Sequence, residues 1–476
     1  MGSHDTWPPV YDETCLPDPR QRYWSPHLEQ MAPGQREALI LRKLRAAVRW
    51  AGERSPFYRE KWEAAGVHPE HLRSLDDFRR FPVVTKAELR REQAEYPPFG
   101  RYLCVDPSEV LRIHGTSGTT GKPTAFAVGR EDWRRIANAH ARIMWGMGLR
   151  PADIIFIASF FSLYMGSWGA LAGGERLRAT CFPFGAGVPG QTLMAVRWLL
   201  DLRPTAFYST PSYALHLAEV AAQEGVDPRD FRFRIMFFSG EPGASIPSTK
   251  RKIQETFGAA CIDSGSMAEM TPWMTNGECE FRCGMHLWQD IVYCEVCDPR
   301  SFEPVPFGHE GTPVYTHLER TSQPMIRLVS GDLTRWVDEA CECGRTYPRL
   351  PRGIYGRIDD MVIIRGENVY PSAIEDTLRA ITGFGGEFQV IISRERAMDE
   401  LVVRVECSLE AARQAELSRG ALDRLREEIA TRLRAAIGVR PVVVLEKPGT
   451  LPRTEFKARR VMDNRRLYEE AVGEAQ

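Results

Sequence analysis

His114-Gly115-Thr116-Ser117-Gly118-Thr119-Thr120-Gly121-Lys122-Pro123-Thr124 interleaves small hydroxylated residues with glycine and closes on a Lys-Pro-Thr run. Backbone N–H groups in such a segment can converge on phosphate oxygens, the hydroxyls add donors, and Lys122 adds a cation. A flexible Ser/Thr/Gly surface loop has the same composition, so the surroundings must decide between the two. The segment is not a Walker A loop, because Thr116 and Pro123 stand where that motif needs Gly and a hydroxyl residue. Its glycines at 115, 118 and 121 also miss the dinucleotide pattern G-x-G-x-x-G.

Outward from this loop, short apolar runs alternate with amphipathic stretches. Strands are predicted at Ile154–Ser159, Ala206–Ser209, Ile235–Phe238 and Ala260–Asp263, and helices near Leu193–Leu202, Tyr213–Glu224 and Ser248–Phe257. That rhythm predicts an α/β fold, a mostly parallel sheet covered on both faces, with ligands beyond the carboxyl ends of its strands. Upstream, residues 35–65 carry the apolar spacing of an amphipathic helix, with Pro82-Val83-Val84-Thr85-Lys86 breaking the region before another short helix. A second texture begins near Gly356. Strands at Met361–Ile364, Phe388–Ile392, Leu401–Val405 and Val442–Leu445 are interleaved with helices at Pro371–Ile381 and Glu410–Ile437, an α+β unit of ordinary size. The reading is therefore a large N-terminal multi-layer α/β domain, residues 1–355, and a small C-terminal domain, residues 356–476.

The totals agree with two domains. A chain of 476 residues exceeds the usual single core. Lys plus Arg number 62 against 63 for Asp plus Glu, a balance that offers no basic field for nucleic acid. Ile154–Gly174 runs 21 residues without a charge, but its serines and glycines read as strand, loop and helix rather than a membrane span. Met1-Gly2-Ser3-His4 lacks an apolar leader, and eleven cysteines without one predict a reduced, cytoplasmic protein.

Further motifs follow in order. Ser239-Gly240-Glu241-Pro242 closes an apolar strand; Asp263-Ser264-Gly265-Ser266-Met267-Ala268-Glu269 comes next; Ser330-Gly331-Asp332-Leu333 is a turn. Gly356-Arg357-Ile358-Asp359-Asp360-Met361-Val362-Ile363-Ile364-Arg365-Gly366-Glu367-Asn368-Val369-Tyr370-Pro371 and Gly449-Thr450-Leu451-Pro452-Arg453-Thr454-Glu455-Phe456-Lys457 complete the set. Read singly, Ser239–Pro242 and Ser330–Leu333 are ordinary turns, Glu269 a solvated carboxylate at a helix start and the Lys457 segment a basic tail, while Gly356–Pro371 is the most specific stretch. Together they resemble the adenylate-forming superfamily of acyl-CoA synthetases, adenylation domains and luciferases, in its phenylacetate–CoA ligase-like branch. Departures occur at Gly265, Ser266, Ala268 and Phe456.

The resemblance implies roles. Thr116, Ser117, Gly118, Thr119, Thr120, Gly121 and Lys122 would cradle ATP phosphates; Gly240, Glu241, Pro242, Asp263 and Ser264 would line the nucleotide, and Asp332 would take the ribose hydroxyls. Glu269 would serve Mg²⁺, a hard oxygen ligand for a hard cation. Arg357 would approach the nucleotide, Asp359 would be the hinge about which the C-terminal domain rotates, and Lys457 would stabilise charge at the α-phosphate. An aromatic acid, of arylacetate or benzoate type, is implied as substrate, with candidate walls Phe160, Phe161, Tyr164, Trp168, Phe184, Tyr213 and Trp273. It would be activated by ATP and passed to coenzyme A with release of AMP and pyrophosphate. A carrier-protein thiol or an amine is the alternative acceptor, a non-catalytic ligand sensor the alternative function, and a homodimer a further expectation. Some members of the branch carry a Cys-His-Cys-Cys set, and Cys279, His286, Cys341 and Cys343 line up with it as ligands for structural Zn²⁺. Cys283 competes for the fourth place, and buried cysteines beside a hydrogen-bonded His are the alternative.

Overall fold

Apolar runs of four to six residues bury both faces when they lie in a parallel sheet, and this organises the larger unit. The computed structural model describes residues 6–116, 123–186, 190–241, 243–265, 267–354, 356–358, 362–364, 367–395, 398–417, 420–451 and 461–464. They divide into one unit drawn from Met1–Ser245 and Ile253–Ile354 and another from Ile246–Lys252 and Tyr355–Gln476.

In the first unit β1 (Val110–Gly115) and β2 (Ala125–Gly129) form an antiparallel hairpin around the Gly/Ser/Thr loop, with Gly115 opposite Ala125. β3 (Ile154–Ile157), β4 (Thr180–Phe182), β5 (Ala206–Ser209), β6 (Ile235–Phe238) and β7 (Ala260–Gly265) are parallel to one another. β8 (Asn276–Glu278) and β9 (Met285–Leu287) extend the sheet antiparallel. β10 (Val292–Cys297), β11 (Glu310–His317), β12 (Leu328–Val329) and β13 (Asp332–Arg335) belong to a separate antiparallel sheet, after which β14 (Arg349–Leu350) returns to pair with β9. The order in the eight-stranded sheet is β14-β9-β8-β7-β6-β5-β3-β4.

Period-two alternation sends Ile155, Ile157, Tyr208, Phe237 and Ile262 into one core, with helices Pro33–Arg54 and Arg130–Gly146. Phe156, Phe207, Met236, Phe238 and Cys261 enter a second core on the other face, with helices Gln191–Leu202 and Pro211–Gln223. No helix among the described residues is long and apolar enough to cross a membrane; 154–174 folds as β3, a loop and the helix Met165–Arg176.

The second unit is a four-stranded sheet. Phe384–Glu395 and Met398–Cys407 form a long antiparallel hairpin, flanked by Val461–Asp463 and Val442–Glu446 in parallel. Helices Pro371–Arg379 and Ala421–Ile437 cover it, burying Ile374, Leu378, Ile429 and Leu433 against Val390 and Val403. Two predicted helices divide. The 35–65 stretch breaks at Ser55-Pro56, where Pro lacks a backbone donor and Ser55 Oγ accepts from Tyr58 N at 3.2 Å to cap the next helix. The 410–437 stretch divides into Leu409–Leu417 and Ala421–Ile437, whose N-cap Gly420 sits at φ +84°.

Candidate active site

Polar residues gather at the carboxyl ends of β3, β5, β6 and β7. Ser209 Oγ donates to Ala158 O at 2.6 Å, tying β5 to the end of β3. Thr210 caps the next helix by accepting from Tyr213 N at 3.3 Å, and Glu241 accepts from Ser212 N at 2.7 Å. Ser264 Oγ donates to Phe238 O at 2.8 Å, and the Asp263 amide donates to the Glu278 carboxylate at 2.8 Å. The strand-end motifs are thus cross-linked into a single edge.

Above this edge lies a cluster of three hydroxyls. Tyr208 Oη is 2.6 Å and Tyr164 Oη 3.4 Å from Ser239 Oγ. Burial raises both phenols above their ordinary value, so they stay protonated donors. Gly240, at φ +93°, makes room for them, since a Cβ there would lie 2.8 Å from the Tyr164 hydroxyl. Phe160 leans on Tyr164 with ring centroids 5.7 Å apart.

The other predicted wall residues do not join this group. Phe161 packs edge-on against Trp168 at 5.1 Å on one side of the sheet. Phe184 stacks on Phe156 at 5.0 Å, and with Tyr213 it belongs to the core on the opposite side. The candidate wall residues thus fall on two faces of the sheet, because neighbouring residues on a strand or its exit point to opposite faces. The Trp273 side chain, Ser117, Gly118, Thr119, Thr120, Gly121, Lys122, Pro242, Asp359 and Lys457 lie outside the described residues.

At the base of the Gly/Ser/Thr loop, Thr116 N donates to Thr124 O and Thr124 N to Thr116 Oγ1, both at 3.2 Å, so the two ends of the loop are pinned together. Glu269 is buried in the 3₁₀ turn Ala268–Met270 with Lys86 Nζ 4.0 Å away. Sequence reading passed over Lys86, whose signal is a cation at the first position of a helix capped by Thr85. Asp332 opens β13 after Gly331 at φ +75° and is half-buried, its amide donating to Ser330 Oγ at 3.0 Å. Arg357 lies in the two-residue strand Gly356–Arg357 of the other unit.

Cys279, His286, Cys341 and Cys343 converge although Cys279 and Cys341 are 62 positions apart. β9, which carries His286, lies between β8 and β14. The four ligand atoms lie within 4.8 Å of one another and all four residues are buried. Cys279 Sγ is 3.8 Å from Cys341 Sγ, and Cys343 Sγ is 3.4 Å from His286 Nε2. Cys283 is exposed, its thiol donating to Phe281 O. The Cys343 thiol is held far below its ordinary value, by hydrogen bonding with Cys279 first and then with His286, while burial keeps the imidazole neutral. Three sulfurs and a neutral imidazole form a donor set that fits Zn²⁺.

The model of the AMP-binding enzyme family matches residues 60–315 and that of the AMP-binding enzyme C-terminal domain matches 366–465. The chain is 36% identical to the phenylacetate-coenzyme A ligase of Thermus thermophilus over 93% of its length and 100% of that protein. It is 33% identical to the enzyme of that name from Escherichia coli, over 92% and 97%. Among solved structures, 2-hydroxyisobutyryl-CoA ligase in complex with 2-HIB-AMP, in the postadenylation state, superposes with a TM-score of 0.93 at 54% identity, covering 99% of both chains. The same ligase with 2-HIB-AMP and CoA in the thioesterification state gives 0.75, covering 100% and 99%.

The chain belongs to the AMP-binding, adenylate-forming enzyme family. Within that family it is an AMP-forming acid–coenzyme A ligase of the phenylacetate–CoA ligase-like branch.

Proposed function

We propose that the acid taken by this ligase is a short, branched and hydroxylated carboxylic acid. The observation that carries this reading is the hydroxyl cluster of Tyr164, Ser239 and Tyr208. A substrate hydroxyl can join this hydrogen-bonded group, whereas an aryl ring brings it neither donor nor acceptor. The 54%-identical 2-hydroxyisobutyryl-CoA ligase supports the same choice. An arylacetate or benzoate is the second reading, favoured by the phenylacetate ligases at 33–36% identity and by Phe160 beside Tyr164.

In this proposal the acid carboxylate attacks the α-phosphate of Mg·ATP and pyrophosphate leaves; the coenzyme A thiol, losing its proton, then attacks the carbonyl of the mixed anhydride and AMP leaves. Thr116 and the loop through Lys122 hold phosphates, Gly240, Glu241, Pro242, Asp263 and Ser264 border the nucleotide, and Asp332 accepts from the ribose. Glu269, with Lys86 beside it, receives Mg·ATP. Lys457 offsets the charge that grows at the reacting oxygens, Arg357 approaches the phosphate, and Asp359 is the pivot between the two half-reactions. Cys279, His286, Cys341 and Cys343 hold a structural zinc that fastens β9 to the loop before β14.

The test is AMP release with Mg·ATP across matched acids, with and without coenzyme A. The expected order is 2-hydroxyisobutyrate above isobutyrate above phenylacetate, with AMP release rising on addition of coenzyme A. Phenylacetate in first place would replace this reading with the second. Adenylate that coenzyme A cannot discharge would shift the acceptor to a carrier protein or an amine.

A further inference from the structure

Arg112 stands between exposed Leu111 and Ile113 on β1, so its side chain turns to the other face of the hairpin. There its guanidinium carbon lies 4.2 Å from the Trp133 ring centroid and 4.9 Å from that of Trp168. Trp133 sits in the first turn of helix Arg130–Gly146, and Trp168, whose indole N–H donates to Ser162 O at 2.9 Å, is fixed on helix Met165–Arg176. Arg112, Trp133, Trp168 and Phe161 are all half-buried. Among the described residues no carboxylate or carbonyl takes the N–H donors of Arg112. Indole faces orient a guanidinium by stacking and leave its planar edge of donors for a phosphate.

We propose that Arg112, Trp133 and Trp168 seat the phosphorylated adenosine end of coenzyme A, with Arg112 on the 3′-phosphate and an indole against the adenine. The proposal rests on coenzyme A as acceptor. A phosphate monoester and an aromatic base are the two groups that a fork of donors between indoles recognises together. The Gly/Ser/Thr loop already serves ATP in the reading above, so a second phosphate seat falls to the second phosphate-bearing substrate. The segment 160–168 joins the two places: Tyr164 reaches Ser239, while Trp168, with Phe161 packed on it, flanks Arg112. No bond is made or broken at this seat.

The experiment compares coenzyme A with 3′-dephospho-coenzyme A in wild type, Arg112→Ala and Arg112→Lys, with the KM for ATP measured alongside. Wild type is expected to favour coenzyme A in KM by about tenfold, the worth of one charge-assisted phosphate contact. Arg112→Ala should remove that preference by raising the KM of coenzyme A alone, and Arg112→Lys should keep part of it. Acid-dependent ATP–pyrophosphate exchange, which needs no thiol, reports whether each variant is folded; if the Ala variant fails it, the Lys variant and the wild-type ratio decide. Equal KM values for the two thiols in wild type, or an equal change for both in the variants, would reduce Arg112 to packing and overturn the proposal. A rise confined to the KM for ATP would overturn it in favour of an ATP seat. A wild-type adenylate that no coenzyme A discharges would refute the acceptor reading instead, a separate outcome.

Discussion

Two polar assemblies in the larger unit are built on opposite principles. At the carboxyl edge of the parallel strands, Tyr164, Tyr208 and Ser239 meet through neutral hydroxyls. Behind the cysteine–histidine group the polar contacts are ionic and buried. Arg142 meets Asp290 at 2.6 Å and Glu29 at 3.4 Å, Arg345 meets Glu29 at 2.9 Å, and Tyr347 Oη donates to Asp290 at 2.5 Å. Burial alone would raise the Asp290 carboxyl, but Arg142 and Lys43, with the hydrogen bonds from Arg142 and Tyr347, bring it below its ordinary value. Each charge there is committed to another part of the chain. Tyr23 Oη donates to Cys343 O at 2.7 Å and Arg36 to Thr346 O at 2.6 Å, so the network fastens the N-terminal segment to the loop before β14. Neutral hydroxyls can exchange partners without stranding a charge, whereas ions in a dry interior cannot. Binding belongs where re-pairing is cheap, and anchoring where it is not.

The largest test of this contrast is Asp290→Asn. It leaves the buried Arg142 guanidinium with only the Glu29 carboxylate that it shares with Arg345, and a loss of about 3–5 kcal/mol in urea unfolding is expected. The KM for the acid should stay unchanged in the fraction that remains folded. A loss below about 1 kcal/mol would show that the network is no more demanding than a surface pair. Next in size is Cys343→Ser, which removes one thiolate from the proposed zinc site. Bound zinc per chain, read by emission spectrometry, should fall sharply, and unfolding should come earlier by on the order of 2–3 kcal/mol. Unchanged metal content would leave the four residues as a buried thiol cluster and nothing more.

How much of this could be read in advance depended on the length of each signal. Ile235–Phe238 ends where its apolar run ends, because both faces of that strand are buried and every position is apolar. Asn276-Gly277-Glu278 in β8 has no such run, and the antiparallel extension of the sheet went unseen. The cysteine–histidine positions were legible only through family likeness, since pairing of three short strands brings them together. The candidate aromatic walls could not be grouped from the sequence, because residue type reports burial and not which face is buried. Phe160 and Phe161 are neighbours in sequence, yet one leans on Tyr164 and the other on Trp168. Tyr208 was missed because it occupies a strand that otherwise reads as core, although a buried phenol needs a partner for its hydroxyl.

The smallest expected effect falls on the hydroxyl cluster and decides between the two acids. Tyr164→Phe keeps the ring that packs on Phe160 and beside Gly240, and leaves the Ser239–Tyr208 contact in place. Only one hydroxyl disappears. If the acid carries a hydroxyl of its own, that substrate loses one neutral hydrogen bond, and its KM should rise by roughly tenfold. The unhydroxylated acid of the same branching never makes that bond, so its KM should hold steady. Phenylacetate should gain slightly, because the variant wall is more apolar. A KM that rises equally for hydroxylated and unhydroxylated acids would mean that Tyr164 acts by shaping the edge and not by recognising a hydroxyl. Phenylacetate turnover that starts high and stays high would assign the edge to an aryl group, with the three hydroxyls serving one another.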